Sequence, residues 1–170
     1  LLFWGQWHWL LAVLLLYACR SKNGTTQTLF TQLETSGIDF RNDVKDSRED
    51  NGFLFRNFYN GGGVATGDIN NDGLADVFFT ANQGENKLYL NKGNFTFEDI
   101  SSAAGLRQDS LWNTGVTMAD VNADGWLDIY VCSSGNIATG RRINKLYINQ
   151  RNHTFKEEAA AYGLDISGFC

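Results

Sequence analysis

The sequence predicts an all-β chain built from repeated four-stranded units, on three observations. Two stretches, from Asp68 to Asp76 and from Asp120 to Asp128, spell the same D-x-N-x-D-G-x-x-D pattern. Each runs into a β-branched and aromatic segment, Val77-Phe78-Phe79-Thr80 or Ile129-Tyr130-Val131-Cys132, which has the composition of a buried strand. The likeness then extends outward. Val64 to Asp76 aligns with Val116 to Asp128, the run Asn86-Lys87-Leu88-Tyr89-Leu90-Asn91 with Asn144-Lys145-Leu146-Tyr147-Ile148-Asn149, and Thr96-Phe97 with Thr154-Phe155. Self-similarity of this kind marks a repeat architecture.

Residues 1–18 carry no charge, and Leu10 to Ala18 is an unbroken apolar run. Its length suits the apolar region of a signal peptide better than a membrane span. Leu16-Tyr17-Ala18-Cys19 resembles a bacterial lipobox, which implies that residues 1–18 are a signal peptide and that Cys19 receives lipid. The competing reading is a transmembrane anchor; Arg20 and Lys22 just after it would then hold the remainder in the cytosol. Residues 19–37, polar and rich in Thr, read as a tether from the membrane, and residues 38–63 as lead-in strands.

The first full unit covers residues 64–106. Its expected strands lie at about 63–66, 76–81, 87–90 and 95–100, supported by the alternation of Leu88/Leu90 and Phe95/Phe97. Asn91-Lys92-Gly93-Asn94 is a good hairpin turn, and Ala103-Ala104-Gly105-Leu106 closes the unit. The second unit covers residues 107–164 and closes on Ala161-Tyr162-Gly163-Leu164. It carries an insertion around Asn136 to Ile143 that includes Arg141 and Arg142, a surface loop by the logic of repeats. Residues 165–170 read as the start of a third unit. With Leu at position 1 and Cys170 in mid-pattern, the chain is expected to be an N-terminal fragment whose next loop lies beyond its end.

The paired loops carry the chemistry. Ca²⁺ takes about six to eight hard oxygen ligands, which no single side chain supplies. A loop folded back on itself turns its first, third and fifth residues inward. These are Asp68, Asn70 and Asp72 in the first loop, and Asp120, Asn122 and Asp124 in the second. A glycine at the sixth place allows the sharp turn. The carbonyl of Leu74 or Trp126 and the carboxylate of Asp76 or Asp128 would close the far side, giving two Ca²⁺ sites. An EF-hand shares the first half of this pattern but needs a bidentate carboxylate at the twelfth place, where this chain has Phe79 and Val131. A metal-free Asx turn is the other reading. Two matching copies, each converging three carboxylates that repel without a cation, favour metal.

At this point the residues resemble a known family. A Gly67-Asp68-x-Asn70-x-Asp72-Gly73-x-x-Asp76 core followed by a Leu-Tyr-x-Asn strand is similar to FG-GAP or VCBS-type repeats, which include the calcium-loop blades of integrin α-subunit propellers. The lead-in Tyr59-Asn60-Gly61-Gly62-Gly63 resembles, more narrowly, bacterial proteins related to cartilage acidic protein, which carry such repeats before an ASPIC/UnbV domain. The resemblance implies a partial β-propeller of two four-stranded blades, similar to the integrin α N-terminal domain, and four strands per unit is the arithmetic of a propeller blade.

Composition narrows the function. With 14 basic against 19 acidic residues the net charge is −5, and no basic stripe suited to nucleic acid is present. Three cysteines make no disulfide framework; Cys132 reads as a small buried hydrophobe. The two histidines are His8 in the leader and His153 in a turn, and Glu98/Asp99 and Glu157/Glu158 are adjacent along strands, so they cannot flank one bond. No nucleophile motif or phosphate loop appears. Weak calcium sites fill where free calcium is high, outside the cell. The expectation is therefore a calcium-stabilised binding or adhesion module of a cell-envelope lipoprotein, with an extracellular protein or glycan as partner. The alternative is a non-catalytic piece of a propeller enzyme that acts on extracellular polysaccharide.

Overall fold

A computed structural model describes residues 29–106, 111–134 and 142–167. The expected signal peptide and the lipid-bearing Cys19 lie outside the described residues. The chain divides into two compact units, Leu1–Leu33 and Glu34–Cys170. Of the first, only 29–33 are described, and there Leu29, Phe30 and Leu33 are exposed.

The second unit holds eight described strands: β1 (Val64–Gly67), β2 (Asp76–Phe79), β3 (Lys87–Asn91), β4 (Phe97–Asp99), β5 (Trp112–Ala119), β6 (Asp128–Ser134), β7 (Lys145–Asn149) and β8 (Phe155–Glu157). They form two four-stranded antiparallel sheets, ordered β1-β2-β3-β4 and β5-β6-β7-β8. The all-β expectation and its two four-stranded blades are thus what the chain forms, and the described residues contain no helix.

Why the blades stack follows from the period of two in each strand. In blade 1, Phe78 pairs with Leu88 on one face, and Val77 with Tyr89 on the other. In blade 2, Ile129 pairs with Tyr147 on one face and Tyr130 with Leu146 on the other. The shared core joins Phe78, Leu88 and Leu90 of blade 1 to Ile129, Val131, Tyr147 and Phe155 of blade 2, with Ile69, Ala104 and Leu106 filling between them. Phe78 corresponds in the repeat to Tyr130, which faces away into a second cluster with Leu146, Ile148, Ala159 and Leu164. The two blades therefore pack head to tail: the face blade 1 turns to blade 2 corresponds to the face that blade 2 turns away from blade 1, which is the stacking a propeller needs. The contact is close at the inner strands: a Cβ on Gly63 would stand 2.6 Å from the Thr114 carbonyl. Across the same seam Thr80 donates to the Thr114 carbonyl at 2.8 Å and the Asn82 amide to the Asn113 carbonyl at 2.9 Å.

Three expectations differ in detail. Residues 38–63, expected as lead-in strands, contain no strand; they are extended chain and turns that meet both blades, with Phe55 and Phe58 packed on Trp112 of β5. Phe40 stacks on Phe79 with ring centroids 4.8 Å apart, Tyr89 donates to Asp39 at 2.7 Å, and Asn42 exchanges two hydrogen bonds with Asn82. The Phe79 and Tyr89 contacts are made to the face of blade 1 that blade 2 does not use, whereas Asn82 also bonds Asn113 of blade 2, so the segment covers apolar surface and reaches the seam without adding a ladder. Packing also starts before residue 38, since Phe97 donates its N–H to the Ser36 carbonyl at 2.7 Å. The fourth strand of blade 1 begins at Phe97 rather than 95, because Asn94 and Phe95 take positive φ in the turn and leave the Phe95 ring exposed. Cys132 is half-buried rather than buried.

Candidate metal centres

Both Asp/Asn loops connect the first two strands of a blade, β1 to β2 and β5 to β6. Each turns through two consecutive-but-one left-handed residues, Asn71 (φ 59°) and Gly73 (φ 85°) in the first loop and Ala123 (φ 58°) and Gly125 (φ 86°) in the second. A Cβ on Gly73 or Gly125 would meet nothing within 4 Å. The glycines are needed there for φ, not for space.

The two loops share one internal wiring. Asp68 accepts the N–H groups of Asp72 and Gly73, at 3.1 and 2.7 Å, and Asp120 those of Asp124 and Gly125, at 3.0 and 2.8 Å. The amide oxygens of Asn70 and Asn122 accept the same Asp72 and Asp124 N–H groups. Asp72 accepts the N–H of Leu74 at 2.8 Å and Asp124 that of Trp126 at 2.9 Å, which places the two seventh-position residues in the turn. At the ninth position Asp76 is fully buried and accepts the N–H groups of Ile69 and Asn91, at 2.9 and 2.8 Å. Asp128, equally buried, accepts those of Val121 and Asn149, at 3.0 and 2.8 Å.

All ten sequence-predicted ligand positions thus fall in two equivalent loops, but the carboxylates are turned onto backbone N–H groups. Among the described residues no three His, Cys, Asp or Glu side chains close on one point as a ready-made cage. The donor chemistry nevertheless fits a hard cation. Every side-chain donor is an oxygen, and a carboxylate that accepts one N–H per oxygen keeps lone pairs for a metal. Electrostatics points the same way. Burial pushes the Asp76 carboxyl above its ordinary range against the two N–H bonds that hold it ionised, and the negative charges of Asp72 and Asp68 push it further. Asp128 is raised for the same reason, by burial first and then by Asp124 and Asp120. Asp72 is lowered, chiefly by the Asn70 amide and the Leu74 N–H. For Asp124 burial opposes ionisation, but the Arg151 guanidinium, the Trp126 N–H and the Asn122 amide outweigh it and hold it low. Each loop therefore gathers more negative charge than its own groups neutralise, and a cation would relieve it.

Sequence reasoning did not single out the residues that tie the loops to the rest of the fold. Asn91 donates its side-chain amide to the Ala75 carbonyl at 2.9 Å, and Asn149 to the equivalent Leu127 carbonyl at 3.1 Å. Asn149 reaches in addition to the Ile69 carbonyl in the first loop, at 2.8 Å. Asn71 of the first loop donates to the Gly125 carbonyl of the second at 3.1 Å. The signal was present in the Leu-Tyr-x-Asn runs, where an asparagine ends each third strand. His153 is exposed in its turn with φ 65°, as a solvated turn residue should be.

Comparison with known proteins agrees with this geometry. The chain is similar to cartilage acidic protein 1 of Xenopus tropicalis, 43% identical over 74 residues that make up 43% of this chain and 11% of that protein. The Mus musculus protein of the same name is 39% identical over 69 residues, 41% of this chain, and the Homo sapiens one 39% over 72 residues, 42% of this chain. The chain spans 11% of the length of each of these curated relatives. Residues 68–131, from the first aspartate of the first loop to the strand that follows the second, are similar to the FG-GAP-like repeat family, whose model they match.

Proposed function

We propose that this chain supplies two calcium-stabilised blades of a propeller that binds an extracellular protein or glycan. The observation that carries the reading is the pair of buried acids, Asp76 and Asp128. Each sits at the ninth position of a D-x-N-x-D-G loop and is pressed by two further acids of its own loop. Calcium would be held by Asp68, Asn70, Asp72, the Leu74 carbonyl and Asp76 in the first loop. Asp120, Asn122, Asp124, the Trp126 carbonyl and Asp128 would hold it in the second. When bound, the ion supplies positive charge and rigidity, not reaction chemistry. The chain's own residues order the loop backbone through the N–H bonds described above and connect it to the neighbouring blade.

In the same reading residues 1–18 are a signal peptide, and residues 19–37 form a tether from a lipid on Cys19 at the cell envelope. Residues 38–63 lead into repeats at 64–106 and 107–164, with a further repeat starting at 165. The partner is not a nucleic acid, given the net charge of −5. At a dissociation constant of about 10⁻⁴ M and about 1 mM calcium, each site would add about 1.4 kcal/mol.

The test is thermal melting with calcium and in calcium-free buffer. A higher melting temperature in calcium that Asp72→Ala diminishes is expected; equal melting temperatures would defeat the reading. A glycan array scored both for binding and for reducing-end release then separates a binding module from an enzyme acting on polysaccharide.

A further inference from the structure

The two loops share all of their internal bonds, yet among the described residues an ion pair made by the second alone breaks their electrostatic equivalence. Arg151 Nη2 stands 3.1 Å from Asp124 Oδ2 in the second loop. In the first loop, the corresponding oxygen of Asp72 meets only the Asn70 amide among the described residues, at 2.9 Å. The repeat explains the difference. Arg151 N donates to the Asn149 amide oxygen at 2.8 Å, just as Gly93 N donates to that of Asn91 at 2.9 Å, so Arg151 occupies the place of Gly93. Both positions are left-handed, with φ 83° at Gly93 and 62° at Arg151. Glycine adopts that conformation freely, whereas an arginine does so at a cost. Lys92, the nearest basic residue on the first blade's turn, pairs with Glu98 at 3.5 Å and acts on Asp72 only through space, as does His153.

We propose that Arg151 is a built-in cation surrogate that makes the second loop the weaker calcium site, so that the two loops fill at different calcium concentrations. The proposal rests on the calcium reading above. A guanidinium on Asp124 Oδ2 already neutralises one of the charges that would draw in calcium. To use that oxygen, the ion must displace the guanidinium and then tolerate its positive charge nearby. Because the Arg151 side chain is more than half exposed, the pair is screened by solvent and its effect is modest. It tunes the site without closing it.

The second loop also carries its own reporter. Trp126 stands at its seventh position, where the first loop has Leu74, so terbium bound in the second loop should be sensitised by an indole a few residues from the ion. The experiment uses the full chain with Asp68→Ala to remove the first site, and titrates calcium against terbium luminescence. Arg151→Gly, which restores the residue the turn prefers, and Arg151→Gln, which keeps bulk and removes charge, are compared with Arg151 in place. Both should tighten calcium binding roughly two- to fivefold, and with Asp68 restored calorimetry should show the two sites drawing together in affinity. Calcium binding that is unchanged or weaker in both variants overturns the role of Arg151 and leaves the calcium reading standing. Absence of terbium or calcium binding at either loop of the unaltered chain overturns both.

Discussion

The side-chain amide of Asn149, on the third strand of blade 2, donates to the main-chain carbonyl of Ile69 in the first loop at 2.8 Å. The same amide reaches Leu127 of its own loop at 3.1 Å, while its N–H meets Asp128. One nearly buried residue thus fastens both loops and both blades. Asn91, its counterpart in blade 1, is half-buried and ties only its own loop, through Ala75. Asn149→Ala would leave two carbonyls without a donor, and is expected to cost about 2 kcal/mol. Asn91→Ala should cost less than half of that. Urea unfolding of the two variants checks the difference, and equal losses would mean that the bridge between blades contributes nothing.

The lead-in is part of the fold. Tyr89, fully buried, donates to Asp39, and burial together with that carboxylate pushes its phenol up to about 12. Tyr89→Phe removes the donor and should cost about 1–2 kcal/mol, measured as a fall in the urea midpoint. No loss in the midpoint would show that residues 34–46 are not held on blade 1 through this bond.

Ala123 takes φ 58° where the first loop has Asn71 at φ 59°. Alanine is strained in that region and glycine is not. Ala123→Gly should therefore be neutral to stabilising by about 0.5–1 kcal/mol, whereas Gly125→Ala, at φ 86°, should destabilise. Melting temperatures of the pair test this: a fall is expected for Gly125→Ala and none for Ala123→Gly.

The buried acids give the chain a pH signature. Folding raises the carboxyls of Asp76 and Asp128 above the ordinary 3.8, so the folded chain holds protons there that the unfolded chain releases. That stability is fully present below the ordinary value and is lost as pH rises through the raised folded values. Asp72 and Asp124 are lowered and act in the opposite sense; Asp72 is exposed, so solvent screens its contribution. Calcium favours the ionised carboxylates, so the stabilisation it gives should grow as pH rises from the ordinary carboxylate value through the raised folded values. Urea unfolding with and without calcium across that range checks it; an increment independent of pH would mean that Asp76 and Asp128 do not meet the ion.

Most of the blade was legible because its signals are local and repeated. The loops, the strands that leave them and the glycines at the sixth place all announce themselves in short windows, and the second copy confirmed the register of the first. The lead-in was harder to read. Ser36-Gly37-Ile38 matches the unit-closing Ala104-Gly105-Leu106, with φ 83° at Gly37 and 76° at Gly105. Phe97 N–H bonds Ser36 as Phe155 N–H bonds Ala104. A three-residue motif without its strands carries too little pattern to be seen until the chain is folded. Arg151 was illegible for another reason: nothing in a turn sequence says that its side chain reaches back to a loop more than twenty residues earlier. Phe95 misled because its alternation with Phe97 imitates a strand, while the left-handed backbone of the turn places it outside.

Calorimetric titration of calcium into the metal-free full chain tests the central claim most directly. Two calcium ions per chain are expected, one lost in Asp72→Ala and the other in Asp124→Ala. No binding up to about 10 mM calcium, well above the range of extracellular sites, would contradict it.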